Sequence, residues 1–463
     1  MRIYIDSDGL TMKKIKFGIS TTHIIMLSFL LAILIGSGLL SLPISSATGE
    51  PVAYVDALFT STTATCVTGL VVAPTFSTWS IFGQIVILIL IQIGGLGIIT
   101  VMTGLSIVLH RRMGIKNRLL IQDAFNLNTL DGLGKFVRKV IKGTLIIEGI
   151  GALLYMIVFV PEFGPRGIWV SVFNSVSAFC NAGMDIVGEN SLYNYVHNPF
   201  VNIVTCTLII LGGIGYIVWW DVIRVLRDRE FKKRSFFSRL TLHSKIVITS
   251  TLVLIFGGAL LIFIFEYDNP LTMKNFSLFD KIQASMFQSI TTRTAGFATL
   301  PQENLSHPTA ILTLLMMFIG GSPVGTAGGV KTVTITVVFA AAISAIKNRE
   351  EVSIFNRSLQ TSAVSKALSV VTASFAIAFT STILLSCVTD ASVIDIIYET
   401  FSASATVGLS RNLTGFLNLY GKIIIICTMY LGRIGPITLA IAFNLKKGNP
   451  NIVKEPIEEI NVG

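Results

Sequence analysis

Residues 287–297 read Phe287-Gln288-Ser289-Ile290-Thr291-Thr292-Arg293-Thr294-Ala295-Gly296-Phe297. This is an aromatic-led, Ser/Thr-rich stretch that ends on a glycine turn inside an apolar chain. The same pattern recurs three more times. Phe59-Thr60-Ser61 leads to Val67-Thr68-Gly69-Leu70, Phe173-Asn174-Ser175 to Asn181-Ala182-Gly183-Met184, and Tyr398-Glu399-Thr400 to Thr406-Val407-Gly408-Leu409. The four glycines are 114, 113 and 112 residues apart. Near-equal spacing is the mark of an internal repeat. Non-helical backbone at membrane depth is costly unless it is buried or lines a water-filled path. Glycine tolerates positive φ and close backbone approach. Four copies of such a loop around one axis would present backbone carbonyls to a dehydrated cation. The short helices before them would point their negative dipole ends at it.

The composition agrees. Of 463 residues, 52% are hydrophobic and 13% charged, whereas a soluble domain carries about 25% charge. Eight apolar runs reach the roughly 20 residues a crossing needs, at about 21–43, 79–109, 140–160, 199–220, 243–265, 309–340, 367–388 and 420–443. The first is too long for a signal-peptide core and is read as retained. The expected fold is an all-α integral membrane protein with four pseudo-symmetric helix–pore helix–helix repeats around a central ion pore. The repeats are placed at 17–112, 135–229, 240–348 and 364–446, joined by loops 113–134, 230–239 and 349–363. The tails are 1–16 and 447–463.

The net charge of +10 invites a nucleic-acid reading, which the placement of charge excludes. Of 35 Lys and Arg residues, 27 lie in the N-terminal tail, the segments 110–142, 224–245 and 347–366, and residues 446–463. That asymmetry puts both termini and the inter-repeat loops in the cytoplasm. Stretches 113–134 and 224–239 look amphipathic and suit either anionic lipid or a cytoplasmic partner. The outer segments hold 12 acids against 6 bases, among them Asp56, Asp185, Glu189, Asp268 and Glu303. They form either an acidic vestibule that concentrates cations or a solvated surface. Asp56, Asp280 and Asp395 stand near pore-helix starts, where N-terminal capping is the preferred reading over cation attraction.

A second glycine motif follows each loop: Ile93-Gly94-Gly95-Leu96-Gly97, Leu211-Gly212-Gly213-Ile214-Gly215, Ile319-Gly320-Gly321 and Leu431-Gly432-Arg433-Ile434-Gly435. The third copy runs on as Gly320-Gly321-Ser322-Pro323-Val324-Gly325-Thr326-Ala327-Gly328-Gly329-Val330-Lys331. Proline and so many glycines cannot continue a helix, so this is the candidate gate. A phosphate-binding loop is excluded, because Val330 stands where that motif needs glycine before its Lys331 and no strand precedes it. The fourth copy puts Arg433 where the others have glycine. An arginine near the bilayer centre costs about 2.5–3.5 kcal/mol unless it faces a polar interior. Pseudo-symmetry therefore sets it beside the pore, opposite the broken helix.

Nothing resembles a catalytic constellation. Cys66, Cys180, Cys206, Cys387 and Cys427 lack metal spacing and read as small packing residues. His23, His110, His197, His243 and His307 form no cluster, and Glu148 reads as a helix-interface hydrogen-bonding group. Alternating access is disfavoured, because the four repeats share one topology and no inverted pair is seen.

Taken together, these motifs resemble the Ktr/Trk/HKT superfamily of potassium transporters over residues 17–446, and its bacterial KtrB branch in particular. The resemblance implies potassium uptake through a filter of Val67, Thr68, Gly69, Asn181, Ala182, Gly183, Thr294, Ala295, Gly296, Thr406, Val407 and Gly408, with K+ held by backbone carbonyls. It implies a gate of Gly320, Gly321, Ser322, Pro323, Gly325, Thr326, Ala327, Gly328, Gly329 and Lys331, with Arg433 as its partner. Also implied are a homodimer in the bacterial cell membrane, lipid contact, a cytoplasmic KtrA-like nucleotide-binding ring and sodium as an activating or coupled ion. No cofactor is expected in this chain. Each loop has one filter glycine, so a filter shorter than the Thr-Val-Gly-Tyr-Gly type is expected.

Overall fold

A computed structural model of the protein describes residues 21–97, 100–101, 103, 133–227, 236–349 and 351–435. The two terminal tails, and nearly all of the 113–134 stretch read as amphipathic, lie outside the described residues, as does the middle of 224–239.

Repeat one is built from α1 (Thr21–Leu40), the pore helix α2 (Tyr54–Cys66) and α3 (Ile81–Leu96). Repeat two has α4 (Leu133–Phe163), pore helix α5 (Arg166–Cys180), α6 (Pro199–Gly213) and α7 (Tyr216–Arg227). Repeat three has α8 (Leu242–Glu266), pore helix α9 (Leu278–Thr291), α10 (His307–Phe318) and α11 (Thr332–Ile346). Repeat four has α12 (Thr361–Ser386), pore helix α13 (Val393–Ala405) and α14 (Leu419–Ile434). The first helix of each repeat is long and apolar enough to cross a membrane. At 25 residues α8 is about 37 Å long, against a hydrocarbon core of about 30 Å.

The surface is inverted relative to a soluble protein. Leu153, Val253, Phe256, Phe375 and Phe379 are exposed on the flanks of α4, α8 and α12. The interior instead holds a run of buried Ser and Thr, including Thr60 to Thr63, Ser175, Ser289 and Ser402. Water on such flanks would be unfavourable; lipid tails suit them.

Local chemistry starts and stops the helices. The side chains of Ser80, Asn198, Thr241, Ser277, Ser392 and Asn418 accept hydrogen bonds from backbone N–H groups in the first turns of α3, α6, α8, α9, α13 and α14. Pore helices α2, α5 and α13 end on a left-handed residue, namely Val67, Asn181 and Thr406. The ring then closes by packing. The second helix of each repeat lies against the pore helix of the next: α3 on α5, α6 on α9, α10 on α13, and α14 back on α2.

One element was not foreseen. In the connection between repeats three and four, β1 (Ser353–Ile354) pairs antiparallel with β2 (Arg357–Ser358), Ser353 opposite Ser358 and Ile354 opposite Arg357. Phe355 and Asn356 both have positive φ, the two-residue turn whose twist matches a hairpin.

Candidate permeation site

The four glycine loops adopt one backbone shape. Two residues before each glycine, Val67, Asn181, Thr294 and Thr406 have φ of 55°, 59°, 65° and 52°. The glycines themselves, Gly69, Gly183, Gly296 and Gly408, have φ of 100°, 65°, 80° and 97°. Left-handed backbone is strained for β-branched residues such as Val67, Thr294 and Thr406, and such strain persists only where the surroundings over-determine it.

Those surroundings are the neighbouring loops. A Cβ on Gly69 would lie 2.5 Å from the Ala182 carbonyl oxygen. On Gly183 it would lie 2.7 Å from that of Ala295, and on Gly296 2.6 Å from that of Val407. On Gly408 it would strike the Thr68 carbonyl oxygen. Each glycine thus meets the carbonyl before the next glycine, in the order one, two, three, four, one. The four close on one another with no room for a side chain.

Each loop is braced from behind by a hydroxyl of its own pore helix. Thr63 Oγ1 accepts from Gly69 N at 2.9 Å and Ser402 Oγ from Gly408 N at 3.0 Å. Ser177 Oγ donates to the Met184 carbonyl at 2.5 Å and Thr291 Oγ1 to that of Phe297 at 2.6 Å. The sequence flags these stretches as Ser/Thr-rich, but which hydroxyl faces the loop depends on helix phase. Thr68, Ala182, Ala295 and Val407 are fully buried. A ring of backbone carbonyl oxygens at the ends of four pore helices can replace water around a cation.

Below the ring, the second helices of the repeats other than the third each lead into a glycine of positive φ. Gly97, Gly215 and Gly435 follow α3, α6 and α14 with φ of 82°, 93° and 85°. In repeat two the chain turns by 98° between α6 and α7. The run 199–220 is therefore not a single straight helix, and α3 and α14 stop short of Gly97 and Gly435, because the last glycine of each motif takes a conformation a helix cannot continue.

The Gly-rich segment of repeat three separates α10 from α11 and is held on several sides. Gly320 N donates to the Val330 carbonyl at 3.0 Å and Gly321 N to that of Gly328 at 3.3 Å. Ser322 N and Thr326 N donate to the carbonyls of Gly213 and Gly212, at 2.9 and 3.1 Å. The carbonyl of Val324, two residues before Thr326, takes the Tyr216 N–H at 2.9 Å. Upward, Gly328 N donates to Thr294 Oγ1 at 3.1 Å and Thr326 Oγ1 to the Phe179 carbonyl at 3.0 Å. Arg433 crosses the centre, its Nη1 on the Thr326 carbonyl at 2.9 Å and its Nη2 on the Gly94 carbonyl at 2.6 Å. Lys331 Nζ donates to the Ala327 carbonyl at 2.5 Å. Pro323, Gly325 and Gly329 complete this segment, and Lys331, Arg433, Gly325, Ala327, Gly328 and Gly329 line a cavity of about 360 Å³ with no acidic residue among the described residues that line it. The Arg433 guanidinium, with no carboxylate beside it among the described residues, opposes the residence of a second cation.

The acids at the pore-helix starts are engaged. Ser277 and Ser392 donate to Asp280 and Asp395 at 2.8 and 2.6 Å while accepting from their backbone N–H groups. This is a reciprocal cap, as preferred from sequence. Asp395 also pairs with Arg411 at 2.7 Å, and Asp56 with Lys422 at 2.5 Å. Asp185 is buried behind ring residue Gly183 and accepts from Val187 N at 3.4 Å. Glu148 accepts from Gln92 Nε2 at 3.2 Å across the α3–α4 interface.

With this geometry in view, comparison with known proteins gives the class. The TrkH family, described as cation transport proteins, matches residues 9–455, and the chain belongs to it. The chain is 40% identical over 442 residues to the Ktr system potassium uptake protein B of Bacillus subtilis, covering 95% of this chain and 96% of that one. It is 35% identical to the potassium/sodium uptake protein NtpJ of Enterococcus hirae, covering 97% and 99%. Among solved structures, the crystal structure of the potassium transporter TrkH from Vibrio parahaemolyticus matches with a TM-score of 0.73 at 16% identity, covering 94% of this chain and 87% of that one. The protein is a multi-pass membrane protein of a cation-transport family, not an enzyme.

Proposed function

We propose that this protein takes up potassium across the bacterial cell membrane through a pore whose selectivity filter is the ring of Gly69, Gly183, Gly296 and Gly408. The observation that carries this reading is the cyclic closure, in which each glycine abuts the carbonyl preceding the next. An inside-negative potential supplies about 2.3 kcal/mol per charge per 100 mV, roughly 50-fold accumulation without a pump. The loop from Gly320 to Lys331 is the gate and Arg433 its bolt. With both termini cytoplasmic, as the positive-inside asymmetry supports, the filter faces outward. The potassium uptake named for the Bacillus and Enterococcus relatives supports the choice of ion, and the sodium in the second name supports a sodium effect. The word "system" in the first name supports work with a partner, here a KtrA-like nucleotide-binding ring, with the pore protein as a homodimer. Potassium flux into proteoliposomes, with internal potassium and external sodium varied separately, tests this. Potassium-selective flux that follows the gradient is expected. Folded protein that passes no potassium, even with residues 325–329 deleted, overturns it.

A further inference from the structure

A second tier of polar side chains lies one turn back along the pore helices from the hydroxyl braces. Thr60, Asn174, Gln288 and Glu399 stand three residues before Thr63, Ser177, Thr291 and Ser402, on the same helix faces. All four are buried, and only Glu399 is an acid. The braces themselves differ. In repeats two and three the hydroxyl reaches past the glycine, to the carbonyls of Met184 and Phe297. In repeat four Ser402 holds the Gly408 N–H itself, so the chain leaving that glycine needs another hold. Glu399 supplies it. Its Oε2 accepts from Ser410 Oγ at 2.6 Å, and its Oε1 accepts from Thr414 Oγ1. Ser410 Oγ in turn accepts from Leu413 N at 3.2 Å. Among the described residues, no basic side chain bonds the Glu399 carboxylate.

Thr414 lies six residues past Gly408, and the residue six past Gly296 is Gln302. There the same tier closes in neutral form. Gln288 Nε2 donates to Gln302 Oε1 at 2.6 Å, and Gln302 Nε2 donates back to Gln288 Oε1 at 3.1 Å. Each amide is both donor and acceptor, so the pair satisfies itself. Repeat four instead brings two hydroxyl donors to one place. Of the side chains that occupy this tier, only the carboxylate has two acceptor oxygens. The two repeats are also tied to each other. The Tyr398 O–H donates to Gln302 Oε1 at 3.1 Å, and Arg411 Nη1 donates to the Gln302 carbonyl at 2.8 Å. The chains leaving Gly296 and Gly408 thus form one braced unit, and Glu399 is the strut that serves repeat four.

We propose that Glu399 is a positioning residue that helps set the preference for potassium over sodium. By holding Ser410 and Thr414 it fixes the chain that leaves Gly408. The carbonyls of repeat four are then kept from following a smaller ion inward. Discrimination by carbonyl oxygens depends on where those oxygens are held, and a strut behind them acts on that directly. The role rests on the filter reading above and adds to it a residue that works through its neighbours rather than on the ion.

Calorimetric titration of the purified full-length protein with potassium, and separately with sodium, in choline buffer tests this. The wild type is expected to bind potassium more tightly than sodium. Glu399→Gln keeps the shape of the side chain but offers one acceptor where two donors point. It is expected to weaken potassium binding about tenfold and sodium binding by less, so that the preference falls. Ser410→Ala leaves the carboxylate in place and removes one of its two bonds. It is expected to weaken potassium binding about two- to fourfold, and it carries the test if Glu399→Gln fails to fold. A role confined to stability would lower the melting temperature and leave both affinities where they are. Unchanged affinities in folded Glu399→Gln or Ser410→Ala, or an equal loss for the two ions, overturn the positioning role alone. Wild-type protein that binds no potassium overturns the filter reading and this role with it.

Discussion

The glycine ring and the layer beneath it come from the same four repeats and yet differ in symmetry. In the ring, all four repeats share one backbone shape, and each glycine meets the next loop's carbonyl. One level down, repeat three contributes a loop, repeat four an arginine, and repeats one and two contribute accepting carbonyls at Gly94, Gly212 and Gly213. A cation is spherical and is best coordinated by equivalent oxygens. Closing a path needs something unlike its surroundings to lie across it. On the proposed reading, the symmetric layer holds the ion and the asymmetric layer stops its passage.

Changes in the ring should have the largest effect. Gly296→Ser places a Cβ 2.6 Å from the Val407 carbonyl oxygen. Overpacking of about 1–3 kcal/mol should lower the preference for potassium over sodium roughly ten- to a hundredfold, read as competitive flux in liposomes. A selectivity that does not move would dissolve the contrast between the two layers.

Next comes the asymmetric layer. Arg433→Ala removes two charge-assisted bonds from the Thr326 and Gly94 carbonyls, worth about 1.5–3 kcal/mol each. Potassium flux should rise at least about tenfold with selectivity unchanged, and deletion of residues 325–329 should do the same. Flat flux in folded variants would remove the gating role. Thr63→Val leaves Gly69 N without its acceptor, a penalty of about 1–3 kcal/mol confined to one repeat. Selectivity should fall only severalfold, and Ser402→Ala should match it through Gly408 N. Unequal responses would show that the ring is less symmetric in energy than in shape. Smallest of all, Ser392→Ala removes the α13 cap. It should cost about 1 kcal/mol in thermal stability and leave flux selectivity alone.

Much of this was legible in the chain. The equal spacing of Gly69, Gly183, Gly296 and Gly408 marked the loops, and Pro323 with its neighbouring glycines marked the broken helix. Arg433 stood out as the one charge in a glycine position. The bend at Gly215 and the positive φ of Gly97 and Gly435 were hidden, because a glycine in an apolar run reads equally as close helix packing. The hydroxyl braces were hidden too. Thr60, Thr62, Thr63 and Thr65 look alike in sequence, and only the phase of α2 selects Thr63.

The sequence by itself determined that this is a fourfold membrane protein, where its loops fall, and which of its repeats depart from the pattern. Period, hydropathy and backbone freedom are local properties that each residue carries with it. Only the tertiary structure decided that Gly69 faces Ala182, that Arg433 bridges Thr326 and Gly94, and that Ser410 and Thr414 meet on Glu399. Those partners lie a hundred or more residues apart in most cases, and nothing local records a distance. They meet because each second helix packs on the next pore helix and the fourth closes on the first.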